Sequence, residues 1–212
     1  MIKKSGLITL TILLIILTTN LSCSKKTDLN NNNIFRYNEH SNISSLDPIF
    51  SSTVRNIWPV NQIFNGLVQL DDSLNIKPDL AKKWDISDDG LNYVFNIKKN
   101  IFFHKSNIFG ADSTRTVNAY DFEYSFNRLK SPELSSPGSW VLNNVDQYKA
   151  INDSLFSISL KKPFAAFIGI LSMKYCSVVP REAVEYYGVK FGKNPIGTGP
   201  FKFKKWEENI KL

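Results

Sequence analysis

The residue types best suited to nucleophilic or metal chemistry are scarce in this 212-residue chain: two histidines, His40 and His104, and two cysteines, Cys23 and Cys176. No two of them stand at metal-ligand spacing, so the sequence predicts no metal site. A serine triad built on either histidine would need a strained nucleophile elbow, and no G-x-S-x-G is present. The glycines of residues 192–199 are not followed by Lys-Ser or Lys-Thr and open no helix, so they predict a tight turn into a strand rather than a phosphate loop. Asp71-Asp72, Asp88-Asp89 and Glu207-Glu208 sit in turn-like sequence and make no acid/base pair. These patterns predict no catalytic residue and no cofactor, and hence a protein that is not an enzyme. Cys176, within apolar residues 173–179, reads as a buried thiol.

Cys23 is a different case. Lys3 and Lys4 precede an apolar run over residues 7–17, which has the length of a signal-peptide core and is short for a membrane span. The run leads to Leu21-Ser22-Cys23, which resembles the lipobox of bacterial lipoproteins. That resemblance implies a signal peptide over 1–22, cleavage before Cys23, a lipid on its sulfur, and a body held at a membrane surface of the cell envelope. Residues 23–33, ending in four asparagines, then read as a flexible tether.

The whole chain has the composition of a globular protein, with 42% hydrophobic residues and fifteen Phe, eight Tyr and four Trp for a core. The net charge of +7 includes Lys3 and Lys4, and the remaining basic residues are scattered or paired, which argues against nucleic-acid binding.

Several elements can be placed from periodicity. A short strand is expected over residues 34–38. A helix is expected from Ile57, Val60, Phe64 and Leu67, ending near Gly66. The clearest signal is a hairpin over residues 78–104. Asp89-Gly90 suits a two-residue type I′ turn, and Leu91, Tyr93, Phe95 and Ile97 share one face with Trp84 and Ile86 opposite. Residues 105–116 read as a polar loop. Asn118 and Asp121 form a capping box for a helix with Phe122, Phe126 and Leu129 on one face, stopped at Ser131-Pro132. A second hairpin follows, with Phe156, Ile158 and Leu160 inward. Phe164, Phe167, Ile168 and Leu171 predict a short helix, and Pro180 and Gly188 bracket another, with Pro180 at its first position. Phe201 and Phe203 alternate with Lys202 and Lys204 as a strand, and residues 210–212 look like the start of another.

In this order the motifs resemble the family 5 solute-binding lipoproteins of ABC transporters, of the oligopeptide- and dipeptide-binding type. The matching segments are Leu46-Asp47-Pro48, IFNGLV at 63–68, PDLAKKW at 78–84 and SDDGLNYVF at 87–95. They continue with IKK at 97–99, Phe103-His104, AYDFEYSF at 119–126 and PIGTGPF at 195–201. The chain departs from the pattern after His104, where Lys105-Ser106 and an inserted polar loop replace the usual Asp-Gly. It resembles only the N-terminal part of family members.

The resemblance implies a mixed α/β fold of the type II periplasmic-binding-protein class, comprising the N-terminal portion of lobe I plus an accessory α+β subdomain. Lobe I would take residues 34–64 and 177–212, and the subdomain residues 65–176. It implies a monomer that binds a peptide ligand and delivers it to an ABC permease and its ATPase. Relatives also take nickel chelates, glycans or haem, and a truncated surface lipoprotein without a transport role is the remaining alternative. By position after Leu46-Asp47-Pro48, the cleft-lining segment is Ser52, Thr53 and Val54. Trp140 lies near the family's Ser-Pro-aromatic loop, with Gly138 where a ring is common. The acidic residue that receives a peptide's amino group lies beyond position 212 in the family, as does most of the second lobe. The expectation is therefore that this chain alone lacks normal ligand affinity.

Overall fold

The computed structural model describes residues 42–207. The expected signal segment, Cys23, the tether, the strand at 34–38 and residues 208–212 lie outside the described residues.

Two stretches of alternating sequence make the central sheet. Strands β1 (Val68–Leu70) and β2 (Ile76–Pro78) form a small hairpin whose turn is closed by the Asp71 carboxylate, which accepts from the Ser73 and Asn75 amides. Strands β3 (Ala81–Ile86) and β4 (Asn92–Ile97) then enter an antiparallel four-stranded sheet with β5 (Val145–Asn152) and β6 (Leu155–Leu160), in the order β3-β4-β6-β5. As the period of two requires, Tyr93, Phe95 and Ile97 are buried, and Phe95 stands opposite both Trp84 and Phe156. Ile86 pairs with Tyr93 in register but stays exposed.

The turn between β3 and β4 is wider than a two-residue type I′ loop. Only Gly90 of the Asp89-Gly90 pair takes a positive φ (69°), and the Ser87 amide bonds to the Asn92 carbonyl. Asp89 spends its carboxylate on the Ser87 hydroxyl and the Leu91 amide, a local bond that holds the longer loop.

Helix α1 (Val54–Ile63) begins earlier and ends earlier than the apolar spacing suggests. Tertiary bonds override that spacing: the Gly66 amide goes to Asp79, and the Leu67 carbonyl accepts from Asp79 and Ala81, so the chain is already extended at Phe64. Helix α2 (Ala119–Lys130) has the expected capping box, with Asn118 accepting from Tyr120 and Asp121 while Asp121 accepts from the Asn118 amide. It lays Phe122 and Phe126 on the sheet, with Phe126 edge-on to Phe156 at 5.4 Å.

Helix α3 (Phe167–Ile170) is shorter than expected, because Phe164 points to solvent while Phe167 packs on Tyr93 at 5.2 Å. Helix α4 (Arg181–Tyr187) has Pro180 as its cap rather than its first residue and ends at Gly188. Residues 201–206 form no strand. The Phe201 amide bonds to Gln62 at the end of α1, and no strand lies alongside among the described residues.

Cys176 is fully buried, and burial pushes its thiol up to about 12, so it is inert at neutral pH.

Candidate functional site

The segment after Leu46-Asp47-Pro48 is held from several sides. Leu46 is completely buried, and Pro48 begins a single 3-10 turn, Pro48–Phe50. Asp47 caps that turn and also accepts a bidentate pair from Arg128 of α2, at 3.2 and 2.8 Å. Both side chains are almost solvent-free, and the guanidinium lies over the Phe191 ring. Asn56, buried inside α1, accepts from the Ser44 amide and donates to the Ser44 hydroxyl and the Phe50 carbonyl. From the far side, the Ser136 hydroxyl donates to the Ile49 carbonyl at 2.6 Å.

A loop fixed in this way presents Ser52, Thr53 and Val54 to solvent. Thr53 is the N-cap of α1 with an extended backbone (φ −124°, ψ 150°), yet its hydroxyl caps nothing. The Ser52 carbonyl and Thr53 amide have no partner among the described residues. Extended backbone with free polar groups is what a β-like main-chain contact to a ligand needs. Ser51, by contrast, is buried, and its hydroxyl has no partner among the described residues.

Trp140 is about half exposed, on a 3-10 turn (Ser139–Leu142) pinned by buried Val141 and Leu142. The Ser136 bond ties this loop to the turn before Ser52, but no hydrogen bond joins Trp140 to Ser52, Thr53 or Val54 among the described residues. Gly138 is explained by its neighbour: a Cβ there would stand 2.2 Å from the Tyr175 ring, so Tyr175 occupies the space that a ring at 138 would fill.

Trp58 was not singled out by the sequence. It is 58% exposed, one turn after Val54, itself 66% exposed, so the two form an uncovered apolar stripe on α1. The signal is its i, i+4 spacing from Val54, which apolar spacing beginning at Ile57 does not reveal.

His104 lies elsewhere. Its Nε2 bonds to the Gly199 carbonyl at 2.8 Å, a packing role. Among the described residues no group of three His, Cys, Asp or Glu side chains could hold a metal ion.

Comparison with known proteins gives a consistent answer. The family described as bacterial extracellular solute-binding proteins, family 5 Middle, matches residues 75–212. The glutathione-binding protein GsiB of Salmonella typhi is 29% identical over 168 residues, which are 79% of this chain and 31% of that protein. Among solved structures, DppA from Helicobacter pylori in complex with the peptide STSA superposes with a TM-score of 0.70 at 28% identity, over 78% of this chain and 35% of that one. NikZ from Campylobacter jejuni in complex with Ni(L-His) gives 0.67 at 32%, over 79% and 32%. The chain thus spans about a third of the length of the relatives it matches.

Proposed function

This chain belongs to the bacterial extracellular solute-binding proteins, family 5, and we propose that it supplies the first-lobe face of a peptide-binding cleft serving an ABC importer. Residues 65–176 are the accessory subdomain in this reading, and the segments on either side of it belong to lobe I. Cys23 carries the lipid that keeps the body at a membrane surface, and an ABC permease with its ATPase is the partner.

The observation that carries the reading is the anchored loop. Asp47, Asn56 and Ser136 hold it, and beside exposed Val54 it offers the Ser52 carbonyl and Thr53 amide, which have no partner among the described residues. Main-chain bonds to an extended peptide recognise length and direction while tolerating side-chain variety. Trp58 and Trp140 are the rings available to pack on ligand side chains. Two relatives favour a small-peptide ligand: one is a glutathione-binding protein and the other was solved with the peptide STSA.

A single lobe face exposes bound peptide to water, so affinity depends on a second lobe closing over it. The test must therefore capture weak binding. Benzoylphenylalanine placed at position 54, irradiated with labelled tetrapeptides, is expected to give covalent adducts that unlabelled peptide displaces. The same probe at Ile86, exposed on the hairpin, is the control. Equal labelling at 54 and 86 would overturn the assignment. Calorimetry with the same peptides is expected to show no micromolar binding by residues 24–212, and a micromolar constant would sink the requirement for a second lobe.

A further inference from the structure

Residues 186–206 hold five lysines, Lys190, Lys193, Lys202, Lys204 and Lys205, and no aspartate or glutamate. Tyr186, Tyr187, Phe201, Phe203 and Trp206 are interleaved with them. The fold brings the two ends of this stretch together: Tyr186, Lys202 and Lys204 border one open depression with Lys105 of the polar insertion. Lys105, Lys190, Lys202 and Lys204 are exposed and form no ion pair among the described residues. The carboxylates of α4 and of residue 207 are already paired, Glu182 with Arg115, Glu185 with Arg181 and Glu207 with Lys205.

The same surface carries apolar tips. Tyr186 is 72% exposed, and Val189, on the 3-10 stretch that follows α4 (Gly188–Lys193), is fully exposed. Burial holds that stretch in place: Phe191 is solvent-free, lies under the Arg128 guanidinium and stands edge-on to Phe64 at 6.3 Å. Val189 is therefore kept in solvent by a buried neighbour two residues on. Lysines around an exposed valine and tyrosine suit a membrane interface, where ammonium groups meet anionic headgroups and the apolar tips enter the boundary below them.

The point where the chain enters the body gives a second, independent reason. The Leu46 amide bonds to the Gly192 carbonyl at 2.9 Å, and the Ser45 hydroxyl fills the space that a Cβ at 192 would need. The segment that follows Cys23 thus joins the described body against the stretch that carries Val189 and Lys190. In the lipid-anchored reading, on which this step rests, the chain arrives from the membrane beside the basic face. We propose that the face made by Lys105, Tyr186, Val189, Lys190, Lys202 and Lys204 rests on an anionic phospholipid bilayer. The lipid keeps the protein at the membrane, and this face sets which side of the body turns toward it.

The test uses the 212-residue chain with benzoylphenylalanine in place of Val189, reconstituted with phosphatidylcholine vesicles with or without phosphatidylglycerol. After irradiation the vesicles are floated, and lipid adducts per floated chain are counted by mass. The same probe at Ile86 is the control, since Ile86 is exposed at the turn end of the β3–β4 hairpin, whose other end runs on toward His104. On anionic vesicles position 189 is expected to give at least about threefold more lipid adduct than position 86. That ratio is expected to fall toward one on phosphatidylcholine alone, in high salt, and in K190Q/K202Q/K204Q with unchanged far-UV circular dichroism. Equal adducts at 189 and 86 on anionic vesicles overturn the face, as does a chain that does not float with them. A ratio indifferent to lipid charge, salt and the three lysines overturns the electrostatic contact. Adducts from 189 to a second copy of the chain in place of lipid overturn it in favour of a self-interface. The mass of Cys23 in protein made by a lipoprotein-processing bacterium tests the anchor separately: an unlipidated Cys23 with the ratio intact removes the anchor and keeps the face.

Discussion

Asp47 does two jobs with one carboxylate, capping the turn at Pro48–Phe50 and pairing with Arg128. The pair spans 81 residues of sequence and is buried. Removing one member leaves the other charge in a low-dielectric site without compensation, which typically costs about 3–5 kcal/mol. Asp47→Ala is expected to lose that much in urea denaturation, whereas the shape-matched pair Asp47→Leu with Arg128→Met loses much less. If single and double variants lose equally, the ion pair is not what holds the loop. His104 carries a second residue-scale prediction. Its folded-state pKa is depressed, chiefly by burial, so the unfolded chain takes up a proton more readily. The stability it contributes is present above the unfolded value near 6.5 and is lost as pH falls through the lower folded value. Between pH 7 and pH 5, unfolding free energy is expected to fall less steeply in His104→Gln than in the parent chain. Equal slopes would mean that other groups set the acid limb. The sequence exposed Ser52, Thr53, Val54 and Trp140 as candidates only through motif position. It hid the Asp47–Arg128 pair entirely, because a contact across 81 residues leaves no local trace.

Among the elements, those made by local chemistry were legible and those made by distant bonds were not. The capping box of α2 was readable because both its side chains act within four residues, and the two main hairpins were readable because alternation puts Phe95 and Phe156 on one face. Helix α1 was misplaced at both ends. Its apolar spacing ran on to Leu67, but Asp79 and Ala81 take the hydrogen bonds that would have continued the helix. The strand expected at 201–204 is not formed, and the observed bond there is the one from the Phe201 amide to the Gln62 carbonyl at the end of α1, a tie that alternation does not reveal. The box at α2 makes a direct prediction. Asn118→Ala leaves the Tyr120 amide without its acceptor and the Asp121 amide with only the residue-118 carbonyl, and is expected to cost about 1 kcal/mol. Asp121→Ala also removes the partner of Arg115, whose guanidinium bridges Asp121 and Glu182 and stacks on Phe103. Its loss in the same urea titration is therefore expected to exceed that of Asn118→Ala, and an equal or smaller loss would show that the Arg115 network adds nothing to the cap.

Across the whole described chain, the sheet with α2 is tied to the flanking segments at a few polar points. Arg128 reaches Asp47, and the Val179 amide donates to Ser125 on α2. Near β2 and β3, Asp79 accepts from Asn65 and Gly66, while Asn65 in turn accepts from Thr198. Around those points the segments share apolar contacts, with Leu46, Phe64, Cys176 and Val178 all solvent-free. Polar ties of this kind set position more than they set stability, since burial supplies most of the free energy and is tolerant of small shifts. The proposed cleft loop should therefore respond to the loss of a tie before the sheet does. In Asp47→Ala, hydrogen exchange is expected to speed up most over residues 44–57, beyond the smaller loss that lowered global stability brings to β4, β6 and the middle of α2. The competed photo-adduct at position 54 should fall in the same variant, because an extended backbone contact works only if the Ser52 carbonyl and Thr53 amide stay where the peptide finds them. Protection lost uniformly across loop and sheet would mean that the variant merely unfolds. Protection lost in the loop with an undiminished adduct would show that ligand contact needs no held loop.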